Sequence, residues 1–181
     1  MKYTRELIQK QYAQGKPFKF LFFWGHKPQA DGRITKAALS QWWPSDFVLD
    51  STRYFCMEQY MMAAKARVFG DSEIQAGIMK SRDPREIKAF GRQVRGFDGA
   101  VWEANRSEIV ISGNVAKFTQ DERLKEYLLS TKDKILVEAS PYDIIWGIGL
   151  AEDDVKSKNP LAWKGLNLLG FALMEVRDQI I

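Results

Sequence analysis

Tyr54-Phe55-Cys56-Met57-Glu58-Gln59-Tyr60-Met61-Met62-Ala63-Ala64-Lys65-Ala66-Arg67-Val68-Phe69 is the most informative run of the chain. Met, Ala, Glu, Gln and Lys dominate it, all good helix formers, so a helix over 54–69 closed by Gly70 is predicted. Tyr54, Glu58, Met61, Lys65 and Val68 then fall on one face, at i, i+4, i+7, i+11 and i+14. That face is otherwise apolar. A charge on an apolar stripe is costly unless it is paired or used. Two readings of Glu58 and Lys65 follow: an ion pair across two turns or a snorkelling lysine stem, and a pair of groups held for chemistry.

Working outward, Phe18–Trp24 is aromatic and predicts a buried strand or extended segment. Residues 4–14 predict a short helix with Thr4 as N-cap, and 25–36 a loop. Phe47-Val48-Leu49 predicts a short strand. Asp83-Pro84-Arg85-Glu86 is a helix start, with Asp as N-cap, Pro at the first position and Glu completing a capping box. A further helix is expected over 100–118, with Gly113 weakening its end, and another from Asp121 to Leu129. Ile135–Glu138 predicts a strand, 140–150 a loop, and the last helix runs from about Ala162 or Gly165 to Arg177. The fold class expected is a mainly α, multihelical single domain over 1–181 with a small β element.

The 181 residues suit one domain, and 45% hydrophobic with 28% charged residues is a globular composition. One Cys, Cys56, excludes an intramolecular disulfide and fits a reducing compartment. With one His, His26, the usual zinc ligand sets are excluded, and no metal or cofactor is expected. The net charge of +4 is spread along the chain with no like-charged tail, a weak preference for phosphate-bearing partners. No membrane span is expected, and the first residues lack the apolar run of a signal peptide, so a cytoplasmic protein is expected.

Three other clusters bear on function. In Ser140-Pro141-Tyr142-Asp143-Ile144-Ile145-Trp146-Gly147-Ile148-Gly149, one carboxylate stands among apolar residues. Asp143 either closes an Asx-turn on its own backbone or serves a site. Trp102 and Arg106 are i, i+4 neighbours, a core Trp with a surface Arg, or a stacking ring with a phosphate-holding cation. His26 ends the aromatic run Phe22-Phe23-Trp24-Gly25, where a lone His is more often structural than catalytic.

Taken in order along about residues 20–178, these motifs resemble the NADAR, or YbiA-like, family. The resemblance rests on Phe22-Phe23-Trp24-Gly25, Trp42-Trp43-Pro44 with Phe47, the Glu58–Ala66 helix, and Trp102 with Arg106. Ala116-Lys117-Phe118, Leu128-Leu129 with Thr131, Leu136-Val137-Glu138 and the 140–149 loop follow. Gly165-Leu166-Asn167-Leu168-Leu169-Gly170 and Leu173-Met174-Glu175-Val176-Arg177 complete it. Gln59 stands where the family often has His, and 162–167 varies a shorter Gly-Lys-Asn pattern.

The resemblance implies a mainly α fold and an N-glycosidase acting on ribosylated, amino-substituted bases. One branch hydrolyses phosphoribosylamino-pyrimidine intermediates of riboflavin synthesis to free base and ribose 5-phosphate, and another removes ADP-ribose from guanine in nucleotides or DNA. The expected partner is thus a small phosphorylated N-riboside, with ADP-ribosylated guanine in DNA as the alternative and a non-catalytic nucleotide or ADP-ribose binding module as the second. The implied catalytic residues are Glu58, Lys65 and Asp143. Glu58 and Asp143 would divide acid and base work, while Lys65 would attack C1′ as a desolvated amine or pair with phosphate or carboxylate. Trp102 and Trp146 would stack on the base, Arg106, Arg53 and His26 would contact phosphate or ribose, and Trp24 and Asn167 would be further substrate-binding residues.

Overall fold

The computed structural model describes residues 1–181. In chain order it contains α1 (Arg5–Ala13), β1 (Phe20–Phe23), β2 (Phe47–Leu49), β3 (Thr52–Tyr54), α2 (Met57–Val68), α3 (Ser72–Lys80), α4 (Pro84–Arg92), α5 (Gly99–Gln120), α6 (Glu122–Ser130), β4 (Ile135–Glu138) and α7 (Leu168–Gln179). Single 3-10 turns occupy Lys36–Leu39 and Pro160–Ala162. The fold is mainly α with two small two-stranded sheets, as expected. The chain divides into two compact units, Met1–Ser40 with Arg123–Ile181, and Gln41–Glu122.

In the first unit β1 and β4 pair in parallel, Phe20 opposite Ile135 through Phe23 opposite Glu138. The central helix of this unit, α7, lies against β4 so closely that a Cβ on Gly170 would sit 2.1 Å from the Leu136 carbonyl oxygen. Buried Arg177 donates to Thr131 Oγ1 at 2.8 Å and to the Lys134 carbonyl at 2.9 Å, holding the turn that precedes β4.

In the second unit, β2 and β3 form an antiparallel hairpin turned by Asp50 and Ser51, both at positive φ (49° and 60°) as a type I′ turn requires. Tyr54 therefore belongs to a strand, and the helix expected from 54 begins at Met57. Phe47, Tyr54 and Tyr60 stack edge and face at 5.1–6.0 Å. Gln120, at the end of α5, donates to and accepts from the backbone of Val48, closing the hairpin edge.

Residues 71–82, for which the sequence predicts no element, contain α3. Asp71 caps it at the Ile74 amide and also binds Arg95 through the backbone amide and guanidinium. The expected capping box at Asp83 does not close. Asp83 caps through the Arg85 amide, while Glu86 accepts from the Ser81 hydroxyl. Gly113 does not end α5 but lets it approach α2, because a Cβ there would meet Tyr60 Cδ1 at 2.5 Å and Met57 Cε at 2.8 Å.

Candidate active site

The second unit holds a group of buried polar side chains at the start of α2. Cys56 is the N-cap and offers no side-chain cap. Glu58 lies in the first turn, where the positive helix end favours a carboxylate, and is 3% exposed. Its amide donates to the Gln41 carbonyl at 2.9 Å. Gln59 is fixed by four hydrogen bonds: Oε1 accepts from the Phe55 amide, and Nε2 reaches the carbonyls of Ile78, Met79 and Ser81.

Helices α2 and α5 run antiparallel. Trp102 lies by Lys65, Gly113 by Met57 and Tyr60, and Lys117 within electrostatic reach of Cys56. The seam thus carries an amine at each end. At one end Lys117 is 1% exposed, with Nζ 4.9 Å from the Phe118 ring centre. Burial brings its pKa down to about 7, so neutral amine and ammonium are both populated near neutrality. Burial also pushes the Cys56 thiol up to about 12, so it remains S–H. The same thiol lies within electrostatic reach of Glu58.

Lys65 occupies the other end. Its Nζ donates to the Gly91 carbonyl at 2.7 Å and lies 4.2 Å from the Phe97 ring centre and 6.0 Å from that of Trp102. Half-burial lowers its pKa from the usual lysine value. Trp102 itself is 9% exposed, so little of its ring is open to stack on a base. Arg106 is buried beside it, with Nη1 3.7 Å from Glu103. Arg53 is instead exposed on the hairpin and ion-paired with Asp46.

In the first unit, the loops after β1 and β4 leave from the same ends of two parallel strands, the side on which open α/β sheets place their ligands. Asp143 Oδ1 accepts from the amides of Ile145 (2.9 Å) and Trp146 (2.8 Å), so the Asx-turn reading holds for that oxygen. Backbone bonds from Leu166, Asn167, Leu168 and Leu169 to carbonyls of 144–147 fasten the loop. Asn167, expected to touch substrate, sits in the left-handed region at φ 56°. It commits both ends of its amide to β4, accepting from the Glu138 amide and donating to the Leu136 carbonyl, each at 2.9 Å. Its role is to fix the strand end from which the loop springs. Trp146 is half-buried, and Trp24 is 53% exposed with its ring 6.2 Å from Tyr142. His26 is half-buried in the loop after β1.

Lys117 is the group that local sequence reading passed over. Its signal was a lysine one turn after Gly113 on the apolar face that also carries Val110. No set of His, Cys, Asp and Glu is placed to hold a metal ion.

A family model described as the NADAR domain matches residues 22–181, a span that includes residues of both units. The chain belongs to this family. It is similar to the N-glycosidase R617 of Acanthamoeba polyphaga mimivirus, 41% identical over 167 residues, covering 89% of this chain and 96% of that protein. The N-glycosidase YbiA of Escherichia coli is 29% identical over 138 residues, 76% of each chain. The solution NMR structure of E. coli YbiA matches the fold with a TM-score of 0.71 at 24% identity, over 89% of this chain and 84% of that one. The chloroplastic riboflavin biosynthesis protein PYRR of Zea mays is 33% identical over 113 residues, 60% of this chain and 16% of that protein. No helix of the NADAR chain is long and apolar enough to cross a membrane.

Proposed function

We propose that this chain is an N-glycosidase that hydrolyses phosphoribosylamino-pyrimidine intermediates of riboflavin biosynthesis to the free base and ribose 5-phosphate. The reaction class rests on the relatives named N-glycosidases, and the substrate on the riboflavin biosynthesis protein among them. The observation that carries the reading is the buried carboxylate Glu58 in the first turn of α2, in one cluster with Cys56 and the amine of Lys117.

Breaking the C1′–N bond puts positive charge on C1′, and its electron pair leaves with the base nitrogen, which takes up a proton. A carboxylate held without water stabilises that charge strongly. Glu58 is assigned that role and, once a lysine amine has replaced the base at C1′, that of base toward the water that releases the sugar from the amine. Asp143 is the second carboxylate, oriented by its two amide donors. Lys65, fixed by the Gly91 carbonyl and two rings, suits a standing cation for phosphate, with Arg106 alongside. Lys117 is assigned the neutral amine that Lys65 was expected to supply, because burial keeps it partly deprotonated near neutrality. Trp146 and Trp24 are the stacking candidates with ring surface exposed.

Turnover tests the reading directly. The folded protein is given a phosphoribosylamino-pyrimidine and, separately, an ADP-ribosylated guanine nucleotide, with products identified by mass. Free base and ribose 5-phosphate from the first, lost by about 10²–10⁴-fold in Glu58→Gln, is the expected result. ADP-ribose released from the second alone would replace the pyrimidine substrate. Saturable binding with no turnover would make the chain a binding module. Borohydride added during turnover separates the amines, since attack on C1′ leaves a reducible sugar adduct on one lysine. Peptide mapping is expected to place it on Lys117, and an adduct on Lys65 would reverse the two roles.

A further inference from the structure

The net charge of +4 is not spread evenly once the fold is considered. Residues 80–95 carry six cations (Lys80, Arg82, Arg85, Lys88, Arg92, Arg95) against two carboxylates (Asp83, Glu86), which accounts for all of it. The acids of this segment are occupied locally: Asp83 caps α4 and Glu86 accepts from Ser81. Arg95 is held by Asp71 and Glu73.

Arg85, Lys88 and Arg92 stand at i, i+3 and i+7 of α4, on one face about 10 Å long. None of the three forms an ion pair within 4.0 Å, Arg85 and Arg92 are exposed, and Lys88 is half-buried. Arg82, with a side chain 75% exposed, extends the stripe toward the hairpin and shares the single carboxylate of Asp46 with Arg53. Two aromatic rings border it: Lys88 Nζ lies 5.8 Å from the Trp42 ring centre, and the Arg82 guanidinium 5.3 Å from that of Phe55.

We propose that the α4 face of Arg82, Arg85, Lys88 and Arg92, bordered by Trp42 and Phe55, is a docking surface for the phosphodiester backbone of a nucleic acid. Four cations in a row at a spacing of a few ångströms, three of them without an ion-pair partner, match a row of phosphates, and half-exposed rings beside them suit unstacked bases. A lipid surface fits less well. The apolar side of α4, Ile87 and Gly91, is buried, and a Cβ on Gly91 would sit 2.0 Å from Met62 Sδ, so the helix has no apolar face to insert. A small N-riboside has no use for a stripe this long. Binding at this face is separate from the reaction proposed above.

The test uses labelled, unmodified oligonucleotides, one single-stranded and one duplex, with anisotropy read across a salt series. Four phosphate contacts predict a slope of log affinity against log salt of about −3 for the single strand and about −3.6 for the duplex. Arg85→Glu with Arg92→Glu, both exposed and outside the catalytic cluster, is expected to weaken binding at least tenfold. It should also flatten the single-strand slope by about 1.4. Lys10→Glu with Lys19→Glu, exposed in the other unit, should change little. Turnover of a mononucleotide substrate by the Arg85/Arg92 variant should match the parent and report its folding. A slope near zero would overturn the proposal, as would equal binding by the Arg85/Arg92 variant. Capture by anionic vesicles without capture by either oligonucleotide would assign the face to lipid instead.

Discussion

Lys117 offers a sharp test of the buried cluster, because its burial makes a pH-dependent contribution to stability of known sign. In the unfolded chain it titrates at the ordinary value of 10.5, and in the folded protein at about 7. Between these values the unfolded state binds the additional proton, so stability rises with pH. The slope from this one group is roughly 1.4 kcal/mol per pH unit, and the full interval amounts to about 5 kcal/mol at most. Below about 7 both states are protonated and the slope vanishes. The perturbation is Lys117→Met, which keeps an unbranched stem in the core and removes the titration. Urea unfolding at pH values stepped from 6 to 9.5, on parent and variant together, cancels the other titrating groups in the difference. The parent is expected to gain on the variant steadily above neutrality. Turnover should fall in the variant, and the parent's kcat/KM should rise along a limb centred near 7 that the variant lacks. A stability difference flat from pH 7 to 9.5 would refute the reasoning: Lys117 would then be charged in the fold, and its use as a neutral amine would fall with it.

Two further substitutions probe how the fold is held. Gly165→Ala places a methyl 2.2 Å from the Gly147 carbonyl oxygen and 2.8 Å from Ile144 Cα; backbone cannot yield there, so a loss of about 1–3 kcal/mol or more is expected in denaturant melts. Asp71→Asn should destabilise near neutrality, because Arg95 holds the Asp71 carboxyl far below the usual carboxylate range. That contribution is present above about pH 4 and lost as pH falls further, so parent and variant melting temperatures should converge in acid.

Much of the architecture was legible because it rests on local rules. The Thr4 cap of α1 and Pro84 opening α4 appear where spacing and capping residues put them. The departures have tertiary causes. Tyr54 lies on a helical stripe in the sequence, yet its ring is claimed by Phe47 and Tyr60, which draws it into a strand. Asn167 reads as polar ligand chemistry, yet β4 needs its amide at the strand end.

The candidate site divides the same way. Glu58 was legible because a carboxylate on an apolar stripe is conspicuous, and the fold does bury it. Lys65 was conspicuous for the same reason, but the partners it takes, the Gly91 carbonyl and the Phe97 ring, are 26 and 32 positions away and invisible to helical periodicity. The seam explains why Lys117 was passed over. Antiparallel pairing of α2 with α5 brings a residue from the end of one helix to the start of the other, and only that pairing sets an amine beside Cys56. Within α5 alone, Lys117 is one cation in an amphipathic helix. The difference between the two lysines is thus one of depth: Lys65 is half-buried, with a carbonyl acceptor and two rings about its amine, whereas Lys117 is fully buried at the start of α2 with the Phe118 ring 4.9 Å from its amine. Burial lowers the pKa of both amines, and that of the deeper Lys117 the further, a division that helix spacing alone does not encode.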